Sequence, residues 1–140
     1  MHKTVQRLNL IKDKVKEIII KEQLKISPEI IAVTKTFPLD EIIPLIEFGH
    51  LHFGENKIQE AEKKWATFKK KYNNIKLHML GKLQSNKAKS AVKLFDYIHS
   101  LDNEKLAKKI AQHENESSKK IKLFIQVNIA EENQKSGILL

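Results

Sequence analysis

Cysteine is absent from this 140-residue chain, which excludes disulfides, thiolate metal sites and thiol nucleophiles. Arginine occurs once, as Arg7, so the planar fork usually used to read bases or grip phosphates in pairs is almost missing. The four glycines, Gly49, Gly54, Gly81 and Gly137, are scattered, and they build neither a P-loop nor a dinucleotide fingerprint. No serine sits in a GxSxG elbow. No apolar run approaches the roughly 18 residues that span a bilayer, and the lysine-bearing start lacks the apolar core of a secretory signal. A cytoplasmic protein with no membrane partner is the expectation.

What remains is ordinary for a folded domain, with 41% hydrophobic residues, and unusually rich in lysine, with a formal charge of +9. That charge favours phosphate-bearing partners without choosing among nucleic acid, lipid surface and small ligand. Clusters at Lys69–Lys71 and Lys119–Lys122 fall where a helix end and a strand entry are predicted. Stacking aromatics are not interleaved through either cluster, which favours a solvated face over a nucleic-acid patch.

Apolar residues at Val5, Leu8, Ile11, Val15, Ile18 and Ile19 recur with helical period, predicting an amphipathic helix from Thr4 to Leu24 that Ser27 and Pro28 break. Helices are then predicted from Asp40 to Phe48, Lys57 to Lys71, Asn86 to Leu94, and from an Asp102 or Asn103 cap to about Glu116. Between them lie strands near Ile30, Leu51–Phe53, Leu77–Leu80, Tyr97–Leu101 and Ile121–Asn128. The strands begin roughly 20 to 26 residues apart, each followed by a helical segment, which is the rhythm of βα units on a parallel sheet. Either a doubly wound sheet or a TIM-type barrel satisfies that rhythm, and both gather reactive residues at the carboxyl ends of strands. Lys35, Glu55 with Asn56, Gly81, Ser100 and Asn128 fall at such ends.

The segment Ile30–Pro38, IIAVTKTFP, is the most informative. Its apolar run predicts a strand covered on both faces, and Pro38 stops a central ladder. Alternation puts Ile31, Val33 and Lys35 on one face. An amine partly withdrawn from water at a strand end can attack a carbonyl to form a Schiff base; the alternative is a lysine whose ammonium snorkels into solvent. His52, His78 and His99 lie on three successive strands with His50 close by, but strand histidines usually pack and hydrogen-bond rather than bind zinc, and no HExxH helix accompanies them. Glu60 and Glu62 read as helix-surface residues, leaving Glu55 as the candidate site carboxylate.

In this order, AVTKTFP, HFGENKIQEA, LGKLQSNKAK, IHSLD and QVNIAEENQKSG resemble the pyridoxal phosphate homeostasis proteins of the YggS/PROSC type. The resemblance covers nearly the whole chain. It implies a fold like the alanine racemase N-terminal domain, here a partial TIM-type barrel of about five of eight βα units after an N-terminal helix. It also implies pyridoxal 5'-phosphate carried on Lys35, with Asn56, Met79 and Gly81 lining the pocket and Lys135, with Glu132 near it, at the pocket mouth. Two departures are Phe37, where the family often has a second lysine, and Lys82 in place of a histidine.

By the same resemblance the function is intracellular homeostasis of vitamin B6 and amino acids, by a carrier without catalytic turnover. Residues 1–140 are read as a single, truncated domain, because family members are longer and their phosphate-gripping segments lie beyond Leu140. Cofactor binding is therefore expected to be weak, and exposed edges at the first and fifth strands invite association. A complementary C-terminal fragment and pyridoxal-dependent apo-enzymes are the candidate partners. The alternatives are a pyridoxal phosphate-dependent, racemase-like enzyme, which needs a second acid/base, and a lysine-rich nucleic-acid binder.

Overall fold

A computed structural model describes all residues from 1 to 140 and places five parallel strands in the sequential order β1-β2-β3-β4-β5. The strands are β1 (Ala32–Val33), β2 (His52–Glu55), β3 (Lys76–Met79), β4 (Tyr97–Leu101) and β5 (Lys122–Ile125). The helices are α1 (Lys3–Lys21), α2 (Leu39–Glu47), α3 (Ile58–Lys71), α4 (Ala88–Leu94) and α5 (Glu104–Ser117), with a 3-10 turn at Ser85–Lys87 leading into α4. The architecture is α/β, a partial TIM-type barrel in which a helix follows each of the first four strands and an irregular loop follows the fifth. No helix is long and apolar enough to cross a membrane.

Local chemistry explains the boundaries. Asn103 caps α5, its side-chain oxygen accepting the Leu106 amide at 2.8 Å. Gly49 follows α2 at φ +93°, a conformation that costs glycine little and other residues much. Pro44 lies inside α2.

The parallel register assigns each side chain to one of two sheet faces. Ala32 pairs with Phe53 and Phe53 with Leu77, while Glu55 pairs with Met79 and Met79 with Ile98. These residues face the helices. Phe53, Leu77, Met79 and Ile98 are buried with Trp65 of α3 in the main core, where the Phe53 and Trp65 rings lie 5.1 Å apart. Val33, Gly54, His78 and Tyr97 form the neighbouring row and face away from the helices, onto an open face.

Three expectations need correction. The first strand is neither long nor covered on both faces: Val33 is 46% exposed, because β1 is an edge and its open face carries no layer. The fifth strand stops at Ile125, and all four of its residues are exposed. Finally, α1 ends at Lys21 and buries only Val5 and Leu8, its later apolar residues Ile11 and Ile18 being half exposed.

Candidate functional site

Lys35 stands in the turn just beyond β1 and is exposed, not partly withdrawn from water as the sequence reading expects, because β1 is an edge whose open face carries no layer. It makes no hydrogen bond or ion pair to any other side chain. Its neighbours are held from α3. Thr34 is buried, its amide donates to the Gly54 carbonyl at 2.9 Å, and its hydroxyl donates to Glu55 Oε1 at 2.8 Å. Lys64 Nζ donates to the Thr34 carbonyl at 2.7 Å, to Glu55 Oε1 at 2.9 Å and to Glu60 Oε1 at 3.3 Å. Thr36, in the left-handed region at φ +64°, donates its amide to Glu60 Oε1 at 2.6 Å. The turn is thus pinned on both sides of Lys35.

The carboxylates depart from expectation. Glu55 is fully buried and turned toward the helices, where its Oε1 accepts from Thr34, Lys64 and the Trp65 indole at 2.8 Å. Its parity explains this, because it pairs with Met79 on the helix-covered face. Glu55 therefore anchors Lys64 instead of facing a ligand, and its Oε2 has no partner. Glu60, read from sequence as a surface residue, is the one that reaches the turn. The Thr36 amide is the main reason its carboxyl lies below the usual range, ahead of the contribution of Lys64.

The other sequence candidates divide. Gly81 and Asn56 are brought together: a Cβ on Gly81 would overlap the Asn56 carbonyl oxygen and lie 2.9 Å from its carbonyl carbon and Cα. The approach needs glycine. Met79 is 1% exposed in the helix-facing core, so its side chain does not line the open face. Leu80 does, its Cδ1 lying 2.5 Å from where a Gly54 Cβ would be. Lys135 is exposed on a separate loop, closed by Lys135 N–H to the Glu132 carbonyl and by the Asn128 amide group to the same oxygen. Gly137 N–H donates to Asp102 just after β4, which sets this loop at the carboxyl pole of the sheet, where Lys35 also lies.

On the open face, imidazoles from β2, β3 and β4 form a ladder. His52 Nδ1 lies 2.9 Å from His78 Nε2, and His78 Nδ1 lies 2.8 Å from His99 Nε2. Tyr97 stacks on His78 at 4.1 Å, and Phe124 stacks on His99 at 4.6 Å. Burial, then the neighbouring His99 and His52, pulls the His78 pKa down to about 4; burial also lowers His50 and His99. The hydrogen-bonded packing reading of these histidines fits this arrangement.

Two concavities adjoin these groups. One of about 480 Å³ lies at the strand starts, lined among others by Lys12, Lys16, Glu29, His50 and His52. The other, of about 220 Å³, runs along β1 between α1 and α2 and is lined by Arg7, Val33, Thr34, Phe37 and Glu41 among others. Phe37 thus packs beside the Lys35 turn, where the family pattern often has an amine. In the lysine clusters, Lys69 Nζ donates to the Leu94 carbonyl and Asp96, and Lys119 Nζ to the Lys93 and Phe95 carbonyls. These cations serve as helix-end partners before they serve any ligand.

Sequence reasoning missed Glu60, Lys64 and Thr34. The available signal was the Glu60–Lys64 pair at i, i+4, which reads equally well as a solvated helix face.

Comparison with known proteins agrees with this geometry. The family model described as alanine racemase, N-terminal domain, matches residues 8–139. The pyridoxal phosphate homeostasis protein of Haemophilus influenzae is 35% identical over 133 residues, 94% of this chain and 56% of that protein. Its counterpart from Buchnera aphidicola is 35% identical over 134 residues, covering 95% of this chain and 58% of that protein. The chain spans about half the length of the curated relatives it matches. Among solved structures, PipY of Synechococcus elongatus without PLP is 36% identical with a TM-score of 0.74, over 89% of this chain and 58% of that one. The same protein with PLP bound has a TM-score of 0.71.

Proposed function

The chain belongs to the alanine racemase N-terminal domain family, and on that premise we propose that it is the N-terminal part of a pyridoxal phosphate homeostasis protein that holds pyridoxal 5'-phosphate on Lys35. The observation that carries this reading is the state of Lys35: exposed, unpartnered, at the carboxyl end of a parallel strand, on a turn fixed by its neighbours. PipY, solved with PLP bound at 36% identity, supports the choice of ligand.

The residues present fit the aldehyde end of such a ligand. Pyridoxal 5'-phosphate supplies an aldehyde that a free amine attacks, forming a C=N bond and releasing water. Lys64, another amine at this strand end, is tied to three acceptors, whereas Lys35 has no such partners and is free to reach a ligand. Asn56 and Gly81 approach each other through backbone and shape one wall, while the Asn128–Gly137 loop brings Lys135 to the same pole.

The reading is one of carriage without turnover. Racemisation needs a second acid/base at the reacting carbon. Tyr97, in the row that runs through His78 and Gly54 to Val33, stacks flat on the His78 ring at 4.1 Å, so its ring is taken up in packing. The names of the relatives point the same way.

The test is incubation with pyridoxal 5'-phosphate, borohydride reduction and peptide mapping. Label concentrated at Lys35 and lost in Lys35→Ala supports the proposal. Label spread over lysines in proportion to their exposure rejects it.

A further inference from the structure

We propose that Glu60 and Lys64 of α3 are positioning residues for Lys35, acting as a clamp that holds the β1–α2 turn in the shape that presents the amine. This deepens the pyridoxal phosphate reading and rests on it. The clamp grips the residues flanking Lys35 and leaves Lys35 free: Lys64 donates to the Thr34 carbonyl, and Glu60 accepts the Thr36 amide. Both grips depend on one ion pair, because Lys64 Nζ also meets Glu60 Oε1 at 3.3 Å. The base of the clamp is rigid, with Glu55 fully buried and bonded to Thr34, Lys64 and Trp65 through a single oxygen.

The need for a clamp follows from the backbone. Thr36 is β-branched and sits at φ +64°, a conformation such residues disfavour. A charge-assisted acceptor on its amide offsets that preference. Without it the turn relaxes toward the ordinary basin, and the direction of the preceding Lys35 side chain changes. A group that must meet an aldehyde carbon along a defined line is sensitive to such a change. Lys64 contributes a second effect, since its Nζ is engaged by the carboxylates of Glu55 and Glu60 and so is not presented to a ligand.

The experiment uses the whole chain and the variants Glu60→Ala and Glu60→Gln. The Glu60 side chain is about a third exposed and alanine favours helix, so the fold is kept, as Trp65 emission verifies. Two readouts are taken: amide hydrogen exchange at Thr36 without any ligand, and the share of borohydride-fixed pyridoxyl label at Lys35. In Glu60→Ala, Thr36 exchange is expected to rise about tenfold and the Lys35 share to fall toward that of surface lysines. Glu60→Gln keeps an oxygen acceptor and restores most of both. Unchanged Thr36 exchange in Glu60→Ala, or Lys35 labelling that stays at the parent level, overturns the clamp while leaving the ligand reading intact. A parent chain with no preference for Lys35 overturns the ligand reading, and the clamp's purpose falls with it.

Discussion

Glu60 accepts the backbone amide of Thr36 at 2.6 Å across 24 residues of chain, and this contact joins the first helix-bearing turn of the sheet to α3. Together with Lys64 on the Thr34 carbonyl, it makes the strand end that carries Lys35 a two-point attachment. The neighbours of the amine are fixed while the amine is not, an arrangement suited to a residue that must react.

Replacing Lys64 by methionine removes the only cation facing the buried Glu55 carboxylate. The side chain of Lys64 is 9% exposed and that of Glu55 is fully buried, so little solvent can compensate. The expected loss is about 3–5 kcal/mol, the range for breaking a buried pair by removing one partner. Urea unfolding followed by Trp65 emission measures it. Lys108→Met, which breaks the exposed Glu104–Lys108 pair, should leave the midpoint nearly unchanged.

Thr36→Gly should keep the amide bond to Glu60 while removing the steric penalty at φ +64°. Relief of about 1–2 kcal/mol in the folded chain is offset by the larger entropy of glycine when unfolded, about 0.5–1 kcal/mol. A melting temperature equal to or slightly above the parent is expected. Thr36→Pro, which loses the donor and cannot adopt that φ, should lower it clearly.

Stability should fall on mild acidification before the carboxylates respond. His78, pulled to about 4 from 6.5, and the likewise lowered His50 and His99 are bases whose folded-state affinity for protons is reduced. Below pH 6.5 the unfolded chain takes up protons that the folded chain resists, so stability present above 6.5 declines as pH drops toward 4. For His78 alone the full effect is about 3 kcal/mol. Glu60, lowered from 4.5, loses its contribution only below that value, so the window from 6.5 to 4.5 belongs to the histidines. Urea midpoints at pH 7.5, 6.0 and 5.0 test this, and His78→Gln should flatten the slope.

The βα rhythm was legible because hydrophobic period and turn residues act locally. Tyr97–Leu101 matches its predicted bounds because Asp102 and Asn103 end the run, and of those two predicted caps the structure uses Asn103. What escaped depended on partners distant in sequence. β1 shrank because it is an edge, which no residue within Ile30–Pro38 reveals. The resemblance puts Met79 at the pocket, whereas its parity with Leu77, set by the strand register, sends its side chain to the helices. Glu60 and Lys64 looked like a helix-surface pair because their true partners lie across the sheet, at Thr34 and Thr36.

Gly81→Ala tests the second feature of the candidate site. A methyl group there would lie 2.9 Å from the carbonyl carbon and Cα of Asn56, and the obstacle is backbone that cannot rotate aside. The connection after β2 must shift or the chain must lose stability, by about 1–3 kcal/mol for overpacking of this kind. The Leu80 amide donates to the Glu55 carbonyl at 2.8 Å immediately beside the contact, so displacement there is transmitted to the residue that anchors Lys64. A lower melting temperature is therefore expected together with reduced Lys35 labelling by pyridoxal 5'-phosphate. Ala substituted at Gly49, where nothing lies within 4 Å and only φ +93° is strained, should lower stability without altering the labelling pattern. If both variants labelled Lys35 like the parent, the approach of Asn56 to Gly81 would be structural alone.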